Sequence, residues 1–201
     1  VLAVIDYGIG NLRSAVKAMA KVGREASLIS DPAQLGSAHG IVLPGVGAFG
    51  RCAEALDAGG WREPLCEVIE AGVPFLGICV GFQLLYESSE ESPGARGLGI
   101  FSGEVKRLGP GVKLPQIQWN ELHLRSESRL LPSGSEGSWM YFVHSFAPPL
   151  GEETTAVCEY GGEVAAAVEE GLVFGCQFHP EKSGDDGLAF LGRFAGLAEA
   201  R

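Results

Sequence analysis

The sequence predicts an α/β fold: an open, mostly parallel, twisted sheet flanked by helices, with antiparallel strands added in the C-terminal half. Three observations predict it. Short apolar runs alternate with helical patterns from Leu2 to Glu87, the signature of a parallel sheet with crossover helices. From Ile100 onward the runs are short and strand-like, and Gly161-Gly162 between two of them marks a hairpin. A final helical stretch then closes the chain.

Leu2-Ala3-Val4-Ile5 is apolar from its start and lacks a basic lead-in, so it reads as a first strand and not a signal peptide. Asn11 to Lys21 reads as a helix with Leu12, Ala15, Val16 and Met19 on one face and Asn11 as N-cap. Ala26–Ile29 is a second strand, stopped by Asp31-Pro32. Gly40–Leu43 is a third and runs into the glycine-rich turn Pro44-Gly45-Val46-Gly47. Helices are expected near Phe49–Leu56 and Glu63–Ala71, then a strand over Val73–Ile78 and a helix over Phe82–Glu87. Ser88 to Gly97 is the most loop-like stretch. Strands are expected at Ile100–Leu108, Trp139–Phe146, Thr154–Glu159, Glu163–Val168 and Leu172–Gln177, and a helix at Asp186–Ala198.

The 201 residues suffice for one domain, 1–201, with a sizeable core, and no linker or repeat divides them. A net charge of −10 argues against a nucleic-acid partner. No apolar run approaches a membrane span. The five cysteines are odd in number and no pair has zinc or redox spacing, which fits a reduced, cytoplasmic compartment with no metal and no cofactor. Cys52, Cys66, Cys158 and Cys176 read as small hydrophobes.

Cys79 differs. It lies in Gly77-Ile78-Cys79-Val80-Gly81, between an apolar strand and a helix. Glycine two positions either side of a nucleophile is the pattern of a nucleophile elbow, which holds the reactive atom at the top of a sheet beside a helix N-terminus. A packed, inert cysteine between glycines is the competing reading.

A catalytic thiolate needs a base, an orienting group and an oxyanion hole. Of the four histidines, His39 and His123 read as structural or surface groups, and His144 ends a strand-like run. His179 follows an apolar run and opens Pro180-Glu181. Proline favours extended backbone before it, and residues two apart in an extended segment share a face, so Glu181 can fix the imidazole tautomer. Val80 supplies one N–H at the helix start, and the Gly45-Val46-Gly47 turn can supply a second. Gly8-Ile9-Gly10-Asn11-Leu12-Arg13 begins like a dinucleotide fingerprint, but Arg13 stands where the third glycine belongs, which argues against nucleotide binding.

With these residues assembled, Gly77–Gln83 and Phe178–Glu181 resemble the class I (triad) glutamine amidotransferases. Asp6–Ser14, Leu43–Phe49, Gln116–Asn120, Tyr141–Ser145 and Gln177–Ser183 narrow the resemblance to the glutaminase subunits of imidazole glycerol phosphate synthase, across nearly the whole chain. The resemblance implies hydrolysis of L-glutamine, with ammonia passed to a (β/α)8-barrel cyclase partner in a heterodimer of histidine biosynthesis. It implies Cys79 as nucleophile, His179 as acid/base and Glu181 as orienter, with Val46 and Val80 at the oxyanion hole. It matches Gly47, Gln83, His144 and Ser145 to the glutamine pocket, and Asn11, Trp119, Tyr141 and Lys182 to the partner face. One departure is Gln118, where the family usually has glycine. The alternatives are an amidotransferase of another synthase, such as anthranilate or GMP synthase, an elbow-cysteine hydrolase, or a scaffold with a decayed site. Asp6–Ser14 argues against the first, and the intact Cys79, His179 and Glu181 against the last.

Overall fold

A computed structural model describes residues 1–200. The elements run β1 (Leu2–Ile5), α1 (Leu12–Lys21), β2 (Ala26–Ile29), β3 (Gly40–Gly45), α2 (Phe49–Ala58), α3 (Arg62–Glu70), β4 (Phe75–Cys79) and α4 (Val80–Gln83). The second half holds β5 (Tyr86–Ser89), β6 (Phe101–Arg107), β7 (Gln116–Glu121), β8 (His123–Leu124), β9 (Trp139–His144), β10 (Phe146–Ala147), β11 (Thr154–Glu159), β12 (Glu163–Glu170), β13 (Val173–Cys176) and α5 (Gly184–Glu199).

Eight strands form the main sheet in the order β2-β1-β3-β4-β13-β12-β11-β8. Neighbours from β2 through β13 are parallel, and those from β13 to β8 are antiparallel. The expected mixed architecture is therefore observed, and the Gly161-Gly162 turn joins β11 to β12 as an antiparallel hairpin. The central strands β1, β3, β4 and β13 are buried along their whole length, which explains their unbroken apolar runs. α1 and α5 pack on each other. Two small sheets, β10-β6-β5 and the β7–β9 ribbon, sit outside the main one.

Three departures from the sequence reading have physical causes. The expected helix Phe82–Glu87 is one turn, Val80–Gln83, and Tyr86–Ser89 is strand β5. Val80 through Tyr86 is buried on every side, so no polar face marks a helical period. Its backbone is instead taken up by tertiary partners, Leu98 N–H to Leu84 O and Phe101 N–H to Leu85 O. The loop-like stretch from Ser88 accordingly begins inside β5. Strand β7 carries exposed Ile117, Gln118 and Trp119, which hide its pairing with β9. Among the described residues, no helix is long and apolar enough to cross a membrane.

Register positions the site. β3 and β4 align Gly45 with Cys79, and β13 and β4 align Cys176 with Ile78. The segments that follow β3, β4 and β13 thus leave the sheet side by side at the carboxyl ends of its parallel strands, where open α/β sheets gather ligands.

Candidate active site

Cys79 ends β4 with φ 56° and ψ −111°, the one non-glycine residue at positive φ among those described. Such a conformation costs of order 1–3 kcal/mol and persists only where its surroundings enforce it. Close approach enforces it here. A Cβ on Gly81 would lie 1.9 Å from the Leu43 carbonyl oxygen, and one on Gly77 would lie 2.6 Å from the Gly81 oxygen. Only glycines let the chain double back this tightly against β3. The helix that follows is a single turn, so its dipole is that of a few free N–H groups. Val80, its first residue, has no intrahelical acceptor for its N–H.

His179 leaves β13 in extended conformation, φ −99° and ψ 94°. Its N–H donates to Tyr141 O at 2.9 Å, and its carbonyl accepts from Ser183 Oγ at 2.7 Å. Phe178 before it is fully buried, edge-on to Phe142 and Phe190. The imidazole Nδ1 donates to Glu181 Oε1 at 2.9 Å, with both side chains nearly sealed from solvent. Glu181 reaches its partner through a 3₁₀ turn, Pro180–Lys182, and not through the extended two-residue alternation expected from sequence. Proline starts the turn because it needs no N–H there.

Burial alone would lower the His179 pKa. The Cys79 sulfur and the Glu181 carboxylate outweigh it and hold the group up at about 9. His179 Nε2 is buried with no hydrogen-bond partner. With Nδ1 held by Glu181, Nε2 is the ring nitrogen left to carry a proton toward the pocket.

A pocket of about 260 Å³ opens at this point. Cys79, His179, Val46, Val80, Gly47, Gln83, His144 and Ser145 all line it, joined by Glu91, Pro115, Val143 and Phe146. His144 is buried. Its Nδ1 donates to Phe146 O at 2.9 Å, and Nε2 is left as an unpartnered acceptor. Burial, with a smaller effect from His179, lowers its pKa to about 4, so it is neutral at neutral pH. The Gln83 amide donates to Phe146 O at 2.9 Å and Gln177 Oε1 at 3.1 Å, so it holds the wall as well as lining it.

Sequence reading passed over Glu91, Gln177 and Ser183. Glu91 places a carboxylate at the pocket and accepts from Phe49 N–H at 2.8 Å, but it sits in the stretch that reads as loop. Gln177 is fully buried and its amide donates to the Cys79 sulfur at 3.7 Å. Two-residue alternation with His179 was the signal for it.

Asn11 opens α1, but its side chain makes no cap hydrogen bond. It donates instead to Glu181 Oε1 at 3.3 Å, because the carboxylate competes better than an N–H of the first turn. The other expected partner-face residues cluster. Trp119 packs edge-on to Tyr141 at 6.1 Å, and Lys182 Nζ lies 5.9 Å from the Tyr141 ring centre. Ile117, Trp119 and Trp139 are large and exposed on the same ribbon. A larger groove of about 1000 Å³, between α2, α3 and the 92–98 turn, contains none of these groups. Among the described residues, no cluster of three or more His, Cys, Asp or Glu could hold a metal.

An elbow cysteine at the carboxyl ends of parallel strands, with a buried His–Glu pair beside it, is the arrangement that thiol-dependent acyl transfer requires. The model for "Glutamine amidotransferase class-I" matches residues 3–194. Among curated proteins, the chain is 46% identical over 200 residues to imidazole glycerol phosphate synthase subunit HisH of Methanothermobacter thermautotrophicus, covering 99% of this chain and 100% of that one. The Bacillus cereus and Moorella thermoacetica HisH subunits are each 43% identical, covering 99% and 98% of this chain and 96% and 94% of theirs. Two solved structures share the fold: a glutamine amidotransferase (TM-score 0.78, 21% identity, 98% of each chain) and PurLQS from Thermotoga maritima (TM-score 0.75, 20% identity, 97% of each). The chain belongs to the class-I glutamine amidotransferases, within the family of HisH subunits of imidazole glycerol phosphate synthase.

Proposed function

We propose that this chain hydrolyses the side-chain amide of L-glutamine and passes the ammonia to a (β/α)8-barrel cyclase that makes imidazole glycerol phosphate in histidine biosynthesis. The observation that carries the reading is the single pocket shared by Cys79, His179, Val46 and Val80.

The Cys79 thiolate attacks the amide carbon of glutamine. The carbonyl oxygen becomes an oxyanion, which accepts from the N–H groups of Val80 and Val46. His179 Nε2 gives its proton to the nitrogen, and ammonia leaves as the tetrahedral intermediate collapses to a thioester. Water then gives a proton to Nε2 and attacks the thioester carbon. Collapse expels the thiolate and leaves the γ-carboxylic acid, which gives its proton to solvent as glutamate, with the imidazolium restored. Glu181 keeps Nδ1 protonated throughout, so Nε2 faces the sulfur. The Glu91 carboxylate suits the ammonium group of an amino acid, and the neutral Nε2 of His144 is an acceptor at the pocket wall.

Exposed Trp119 and Lys182 over half-buried Tyr141 fit a partner surface, since an apolar patch beside a cation suits a protein and not solvent. The test is Cys79→Ala in the complex with the cyclase. Glutamine-dependent product formation should vanish, and ammonia-dependent formation should persist. Loss of both, or of neither, would defeat the reading.

A further inference from the structure

Tyr7 and Cys52 have no part in the chemistry above, yet both reach the turn that carries Val46. Tyr7, just past β1, is buried, and its hydroxyl donates to Pro44 O at 2.8 Å. Cys52, in the first turn of α2, is fully buried, and its thiol donates to Val46 O at 3.4 Å. Burial pushes both groups up, so each keeps its proton at neutral pH and acts as a donor. Neither partner is a random neighbour. The two acceptors are the carbonyls of the Pro44–Gly45 and Val46–Gly47 peptides. Between these lies one peptide, Gly45–Val46, which carries the Val46 N–H.

That middle unit turns about ψ of Gly45 and φ of Val46, and a glycine stands on either side of Val46. Gly45 lacks a Cβ because one would lie 2.5 Å from Gly81 N, and Gly47 stands at φ +85°. With a glycine at one of its two axes and another just beyond Val46, this peptide can rotate unless its neighbours are fixed. We infer that Tyr7 and Cys52 are positioning residues for the oxyanion hole: by anchoring the carbonyls on either side, they set the plane of the peptide that presents the Val46 N–H. The inference rests on the reading of Val46 as an oxyanion donor. A buried cysteine in a helix reads from sequence as core filler. Its contact with the Val46 carbonyl, two residues from the carbonyl that a phenol of another element holds, is what distinguishes it.

The consequence is specific. An oxyanion donor acts in the transition state and not in substrate binding, so loosening it lowers kcat and leaves KM alone. Tyr7→Phe and Cys52→Ala are measured in the complex with the cyclase, with glutamine and separately with ammonia. The glutamine kcat should fall about tenfold for Tyr7→Phe and about threefold for Cys52→Ala, the thiol being the weaker donor. KM for glutamine and the ammonia-dependent rate should stay within twofold. Binding of the aldehyde analogue of glutamine, which adds to Cys79 as a tetrahedral species, should weaken in step with kcat. A role in packing alone would lower the melting temperature without that parallel. An active wild-type complex with unchanged kcat in both variants, or with losses appearing in KM, overturns the inference alone. A wild-type complex without glutamine hydrolysis sinks the functional reading and the inference with it. Should Tyr7→Phe fail to fold, Cys52→Ala, which removes a single sulfur, decides.

Discussion

Replacing Gly81 with alanine puts a methyl carbon 1.9 Å from the carbonyl oxygen of Leu43. Ordinary carbon–oxygen contact begins near 3.3 Å, so the elbow or β3 must yield by about 1.4 Å. Both belong to buried strand ends in register, Leu43 opposite Gly77 and Gly45 opposite Cys79, so the strain passes directly to the nucleophile and to the turn bearing Val46. Overpacking of this kind costs about 1–3 kcal/mol of stability. A misplacement near 1 Å at reacting groups costs about 10²-fold in rate. The variant should therefore fold, with a lower melting temperature, and lose about 10²-fold or more in glutamine kcat in the complex. Gly36→Ala, where nothing lies within 4 Å, is the control and should match wild type. The assay is steady-state glutamate release beside thermal unfolding. A Gly81→Ala enzyme within fivefold of wild-type kcat would refute the claim that this close approach holds Cys79 in its strained conformation.

Two further outcomes follow from the same geometry. His179 is raised to about 9 from an ordinary 6.5, so the native state retains a proton that the unfolded chain releases between those values. The stability tied to it is complete below pH 6.5 and is lost as the pH rises through about 9. Urea titrations of wild type should show that loss, and Glu181→Gln should show less of it. Superimposable pH profiles for the two would contradict the pairing. Trp119→Ala removes an exposed aromatic from the Tyr141–Lys182 cluster, and should weaken binding of the proposed cyclase partner by about 2 kcal/mol, roughly 30-fold in Kd, with the melting temperature of the free chain unchanged. Calorimetric titration with undiminished affinity would remove this face from the interface.

The parallel half of the fold was legible because each central strand is buried on both faces and each connection has a helical stripe or a glycine stop. Cys79 was legible for a related reason: its conformation leaves no room for side chains at positions 77 and 81, so the constraint is written as residue type. The helix expected after it failed where the chain is buried all round, since periodicity carries no information when every side is apolar. The His179–Glu181 pair was found through spacing, although the turn that joins them differs from the one inferred. Glu91 and Gln177 escaped because their partners, Phe49 and Cys79, lie far along the chain, and for the same reason the bond from Asn11 to Glu181 escaped although Asn11 itself was matched to the partner face. Tyr7 and Cys52 escaped similarly. A hydrogen bond to a backbone carbonyl of another element leaves no trace in local sequence.

The central claim is that Cys79, and no other of the five cysteines, is the nucleophile of a glutamine pocket. The complex with the proposed cyclase partner is treated with a glutamine-like electrophile, digested and read by peptide mass spectrometry. One adduct is expected, on Cys79, formed more slowly when L-glutamine is present. Labelling at Cys66, the one cysteine that is not buried, with Cys79 untouched or glutamine without effect, would contradict the account.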